Sequence, residues 1–211
     1  MGRIYLARHG EVEWNRENAY IGSTDLPLNQ NGFAQATKLT EYLSGKRISA
    51  VHCSHLARSV QTAEVVASRL KMPIRTTAEL AEVDYGEWEG VPESEACERD
   101  PEFFHVWRAN PAEVRIPGGE TFAELRDRAF PTFRRIAEAH ATDNVLVVAH
   151  KSVNRVILCR ILGIDINRYR QIGQGNACLN VIERREDGRF VVESINDQCF
   201  LLGGRLGFEL T

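Results

Sequence analysis

Two segments of one shape constrain this chain more than any other feature: Ile4-Tyr5-Leu6-Ala7-Arg8-His9 and Val145-Leu146-Val147-Val148-Ala149-His150. Each reads as a short buried strand with a histidine just past its carboxyl end. Strands that are apolar along their whole length belong in sheets covered on both faces. In open α/β sheets, ligands bind at the carboxyl ends of strands, near the point where strand order reverses. If the two strands are neighbours, both imidazoles face one crevice.

The rest of the chain alternates in a compatible way. Asn29 is placed to cap a helix with Phe33, Ala36, Leu39, Tyr42 and Leu43 on its apolar face and Gly45 as its stop. Ser49 to Ser54 reads as a strand and Ala57 to Leu70 as a helix, which Met72-Pro73 ends before Ile74 opens a third short strand. Thr121 begins a long helix, inside which Pro131 predicts a kink or a break. A helix from Ser152 to Leu162 follows His150, and Asn176–Glu183 and Phe190–Ser194 form a hairpin around Asp187-Gly188. The expectation is one domain over residues 1–211: a three-layer α/β/α sandwich with a mostly parallel central sheet and a late antiparallel hairpin. Residues 83–118 interrupt this order, with helical pieces from Glu93 to Asn110 among four prolines. A long insertion in a compact domain is usually a lid or a binding loop, so substrate choice is expected between about Glu82 and Gly119.

Charge narrows the partners. A net charge of −3 argues against a nucleic-acid or membrane surface, though a local basic pocket for a small anion remains open. Five widely spaced cysteines without a CxxC pair argue against zinc and point to a reduced cytoplasm. The amino-terminal apolar run is too short for a signal peptide, and no stretch is long enough for a membrane span. The edge of the late hairpin would permit a homodimer.

Two arginines join the histidines. Arg8 adjoins His9, and Arg58 opens the helix after the second strand, near the same sheet edge. A guanidinium at a helix amino end makes a strong anion site, so Arg8 and Arg58 could clamp one phosphoryl group. A cysteine-based phosphate loop does not fit, because that chemistry needs five residues between Cys and Arg and only four lie between Cys53 and Arg58.

These residues resemble the signature of the histidine phosphatase superfamily, the phosphoglycerate-mutase-like fold. The resemblance is carried by Arg8-His9-Gly10-Glu11-x-x-Trp14-Asn15, Asp25-Leu26-Pro27-Leu28-Asn29, Ser54-x-Leu56-x-Arg58-Ser59-x-Gln61-Thr62-Ala63, Glu82-x-x-x-Gly86-x-Trp88-Glu89-Gly90, Pro117-Gly118-Gly119-Glu120-Thr121 and Val147-Val148-Ala149-His150. Six blocks in order cover roughly residues 3 to 162. Two positions depart from the pattern: Val12 stands where Thr or Ser is common, and Lys151-Ser152 where Gly-Gly is common.

The resemblance implies a phosphomonoester hydrolase acting on a small phosphorylated metabolite, with His9 as the nucleophile and no metal or cofactor. Chemistry agrees, since Arg8 and Arg58 disfavour imidazolium and the other ring nitrogen can donate to a backbone carbonyl. His150 is expected as a second phosphate donor, better when charged. Glu82 is the candidate acid for the leaving alcohol, preferred over Asp84 and Glu87 on the family spacing. Asn15, Gly22, Ser23 and Lys151 are candidate substrate ligands, with Arg155 adding to the positive field. Glu11 would orient an arginine, and the three tryptophans serve packing.

Two other functions compete. A mutase would hold a second anionic group with extra basic residues in the insertion, but residues 83–118 carry Arg99, Arg108 and Arg115 among many acids and no paired-arginine block. A non-catalytic binding module would have lost His9, Arg58, Glu82 or His150, and all four are present.

Overall fold

The computed structural model describes residues 2–202. Its strands are β1 (Arg3–Arg8), β2 (Ile48–Cys53), β3 (Ile74–Thr76), β4 (Asn144–Ala149), β5 (Leu179–Arg184) and β6 (Phe190–Asp197). They form one sheet in the order β3-β2-β4-β1-β5-β6. β3, β2, β4 and β1 are parallel, whereas β5 and β6 run antiparallel. The two strands that opened the sequence reading are therefore neighbours. Ile4 pairs with Val145 and Arg8 with Ala149, which leaves His9 and His150 side by side just past the last rung.

The helices are α1 (Glu13–Arg16), α2 (Gln30–Leu43), α3 (Ala57–Leu70), α4 (Glu93–Arg99), α5 (Pro101–Ala109), α6 (Phe122–Ala139) and α7 (Lys151–Leu162). Alternation along each strand sends residues to two cores. Ile4, Leu6, Val145 and Val147 pack with α6, α7 and the insertion. Tyr5, Ala7, Leu146 and Val148 pack with α2 and α3. This is why β1 and β4 read as continuous apolar runs. Burying each such Leu or Val contributes roughly 1.5–3 kcal/mol.

Three local expectations change. Pro131 does not break α6, which runs unbroken from Phe122 to Ala139. The proline faces solvent, as does Asp127, whose carbonyl loses its partner, so water can hydrate it while Phe122, Leu125, Phe133 and Ile136 hold the buried face. Phe33 is 42% exposed. The buried stripe of α2 runs through Gly32, Ala36, Leu39 and Leu43, and Phe33 lies about 100° round the helix from Gly32. Gly45 is not the left-handed stop of α2: Ser44 ends the helix and Arg47 carries the positive φ of 51°. Asn29 caps α2 as expected, accepting from the Gly32 N–H.

Beyond Gln198, a short 3-10 turn (Cys199–Leu202) stacks Phe200 on Tyr42. β6 is a sheet edge on which Val191 and Ile195 are exposed. Among the described residues, no helix is long and apolar enough to cross a membrane.

Candidate active site

Backbone pairing fixes His9. Its N–H donates to the Ala149 carbonyl and its carbonyl accepts from the Ala177 N–H. The next residue, Gly10, lies so close to Gly32 that a Cβ there would sit 2.5 Å from the Gly32 carbonyl oxygen. Only glycine permits this approach of two backbones. The ring Nδ1 lies 2.7 Å from the Gly10 carbonyl oxygen, so Nδ1 carries the proton and donates, leaving Nε2 with a free lone pair. Burial first, then Arg58 and Arg8, pushes the His9 imidazolium well below its ordinary range. The arginines act as expected from sequence, but desolvation outweighs them.

Both arginines are buried without a carboxylate partner among the described residues. Arg58 is 0% exposed, so it is not the surface residue that a helix first turn would suggest. Its guanidinium donates to the carbonyls of Thr24 and Gly22, each at 2.8 Å. Arg8 donates to the Gln174 carbonyl at 2.8 Å. The Nε atom of each arginine is buried with no partner. Burial lowers both guanidinium pKa values, that of Arg58 to about 10. A buried cation held only by carbonyls is costly, and an arriving anion offsets that cost. The amino end of α3 contributes less than expected, because Asp25 and the Ser54 hydroxyl already accept its Ala57 and Leu56 N–H groups.

His150 does not need the charge that was expected to improve it as a donor. Ser54 Oγ accepts from the Leu56 N–H, so its hydroxyl hydrogen is free for His150 Nε2, 2.6 Å away. The proton of a neutral His150 then sits on Nδ1, which is buried and unpartnered. Burial, Arg58, His9 and Arg8 push the imidazolium well below its ordinary range. Neutral His150 is thus already a donor and does not need a charge. Its ring centroid lies 5.1 Å from that of His9.

Glu82 is buried beside the same crevice. One carboxylate oxygen accepts from the Val83 N–H at 2.9 Å and the other from the Ser152 N–H at 3.1 Å, in the first turn of α7. The insertion thereby delivers a fixed carboxyl to the strand ends.

The remaining expected ligands divide. Asn15 lines the crevice, its Oδ1 held by the Val12 N–H and Asn176 Nδ2. Lys151 lines it at the rim, with its side chain exposed. Surrounding protein and the neighbouring Arg8 and Arg155 pull its ammonium down to about 8. Gly22 and Ser23 do not line it. Gly22 offers its carbonyl to Arg58, and a Cβ there would overlap Glu89 and the Val83 carbonyl. Ser23 is exposed, its N–H and hydroxyl bound to Glu89. Glu11 accepts from Asn29 and meets no arginine among the described residues. Val12 packs with Ile21 and Leu28, so an apolar contact occupies the place of the usual hydroxyl. Burial pushes the Cys53 thiol up to about 12, which suits a packing role.

The histidine phosphatase superfamily (branch 1) family model matches residues 4–198. The chain belongs to that superfamily. Phosphoserine phosphatase 1 of Hydrogenobacter thermophilus is 31% identical over 95% of both chains. The adenosylcobalamin/alpha-ribazole phosphatase of Escherichia coli is 30% identical over 86% of this chain and 89% of its own. Among solved structures, Bacillus stearothermophilus YhfR superposes with a TM-score of 0.87, at 28% identity, covering 95% of this chain and all of that one. Membership makes the chain an enzyme of the phosphatase type.

Sequence reasoning missed several parts of this histidine phosphatase site. A buried amide network of Gln174, Asn180 and Asn154 anchors the segment whose carbonyl holds Arg8. Its only sequence signal is polar Gln174 between two glycines. The crevice opens into a cavity of about 260 Å³, lined among others by Tyr20, Tyr85, Glu93, Arg155, Tyr169 and Arg170. The insertion supplies only part of that wall. Its tryptophans serve packing: Trp107 is fully buried and Trp88 meets it edge-on. Among the described residues, no group of three or more His, Cys, Asp or Glu is placed to hold a metal ion.

Proposed function

We propose that this phosphatase hydrolyses small phosphomonoesters through a phosphohistidine at His9. One observation carries the reading. Three buried nitrogens without partners, Arg8 Nε, Arg58 Nε and His150 Nδ1, belong to residues grouped round an imidazole with one free lone pair. Phosphoryl transfer asks for an in-line nucleophile and donors on the equatorial oxygens, with little other covalent chemistry.

In the first step His9 Nε2 attacks phosphorus and the bond to the alcohol oxygen breaks. The Glu82 carboxyl gives its proton to the departing oxygen. In the second step Glu82, now a carboxylate, takes a proton from water as that water attacks phosphorus. The nitrogen–phosphorus bond breaks, inorganic phosphate leaves, and His9 and Glu82 return to their starting forms. Arg8, Arg58 and His150 donate to the phosphoryl oxygens in both steps. Asn15 extends the donor set. The names of the two relatives support a phosphomonoester and differ in the alcohol, so they leave the tail of the substrate to the cavity.

The test is rapid quench with a radiolabelled aryl phosphate. Label on wild-type protein that survives alkali but not acid, and is missing from His9→Ala, is the expected result. An acid-stable label, or label retained in His9→Ala, would refute the nucleophile. Fast isomerisation of a phosphoglycerate without phosphate release would favour the mutase instead.

A further inference from the structure

The cavity carries more positive charge than the phosphoryl chemistry uses. Lys151 and Arg155 stand about one turn apart on α7, and Arg170 comes from the 3-10 turn Ile166–Gln171. None of the three makes an ion pair among the described residues. Neutral groups hold the two arginines instead. Arg155 Nε donates to the Ile172 carbonyl at 2.7 Å, and its guanidinium lies 5.5 Å from the Tyr169 ring. Arg170 lies over Trp107 and Tyr169, at 4.6 and 4.7 Å.

The arginines of the insertion behave in the opposite way. Arg99 pairs with Glu95, Arg108 with Glu93, and Arg115 with Glu124. The two carboxylates that face the cavity are also engaged, Glu82 by backbone amides and Glu93 by Arg108. Burial first, and neighbouring cations after it, lowers the pKa values of Lys151 and Arg155, although Glu82 opposes the shift in both. Guanidiniums fixed on aromatic faces are already oriented for a planar anion.

We propose that Lys151, Arg155 and Arg170 form a second anion subsite, selecting phosphomonoesters whose alcohol portion carries a carboxylate. This rests on the reading that the phosphoryl group sits at His9. A cavity of about 260 Å³, part of it filled by that group, suits a compact tail, and a carboxylate matches a guanidinium fork.

The test compares kcat/KM for 3-phosphoglycerate and for glycerol 1-phosphate, whose tail is similar in length but neutral. Wild type is expected to prefer the acid by at least ten-fold at low salt. Arg155→Met and Arg170→Met should each cut that preference ten-fold or more, chiefly through KM, while Arg160→Met on the exposed side of α7 should keep it. Melting curves identify any variant that fails to fold. Calorimetry with 3-phosphonopropionate and propylphosphonate reads the same preference without turnover. Equal binding of both phosphonates by wild type, or preference retained in both cavity variants, overturns the subsite. Stronger preference for a diol bisphosphate of the same length overturns the carboxylate. Failure to hydrolyse any ester sinks the phosphatase reading at His9 alone, and the phosphonates still decide the subsite.

Discussion

The sheet carries two histidine pairs of almost the same dimensions. His9 and His150 have ring centroids 5.1 Å apart, and His52 and His140 have them 5.4 Å apart. Both pairs join the sheet to the end of a neighbouring element. Their surroundings differ. His52 and His140 face each other through Nε2 atoms 3.3 Å apart, so each serves as the other's partner. His9 is held through Nδ1 alone, His150 has an unpartnered Nδ1, and two buried guanidiniums flank them. A pair of close imidazoles is therefore not a site. Partners that leave a lone pair and several donors unused make one.

The largest test of that contrast is the same substitution in each pair. His9→Ala should lower aryl phosphate hydrolysis by four orders of magnitude or more, because it removes the attacking atom. His52→Ala should stay within about three-fold of wild type in the folded fraction. Comparable losses in both would erase the distinction. A smaller effect belongs to Glu82→Gln, which keeps shape and loses the proton. Its kcat should fall by about 10²–10⁴ for an alkyl phosphate. The fall should be much less for a nitrophenyl phosphate, whose leaving group needs no acid. Equal losses on both esters would remove Glu82 from the acid role.

The smallest effect is on stability. Burial, then His140 and Arg75, pulls His52 down to about 4, below its ordinary range. The unfolded chain then binds the proton more readily, so the stability His52 provides is present above about pH 6.5 and lost as pH falls towards 4. By linkage, the loss between pH 7 and pH 5 is about 2 kcal/mol. His52→Gln should shrink the drop in denaturant midpoint over that interval. An unchanged drop would place the acid sensitivity elsewhere, with His9 and His150 the next groups to substitute.

Much of the candidate site was legible because its residues follow strand grammar. A buried parallel strand must be apolar on both faces, so a histidine at its end stands out. The two such strands, if placed side by side, could be foreseen as one crevice. Arg58 showed the limit of that grammar: its motif predicted its place near the phosphate, while its burial depends on carbonyls of the Gly22–Thr24 segment arriving from elsewhere. Ser23 misled for a related reason. A serine after glycine looks like a free donor until Glu89 arrives from the insertion and takes both its groups.

The cavity was harder to foresee. Lys151 and Arg155 were expected beside the phosphate, whereas Arg170 carried no signal in the sequence, and the arginines of the insertion are found in ion pairs. The unpaired ones come from α7 and the turn that follows it. By itself, the sequence determined the layered α/β order, the strand-end placement of His9 and His150, and the absence of an arginine pair in the insertion, because periodicity and composition are local properties of the chain. Only the tertiary structure decided which charges are neutralised and which face the cavity. That outcome depends on which side chains meet across long sequence separations, and no single segment records it.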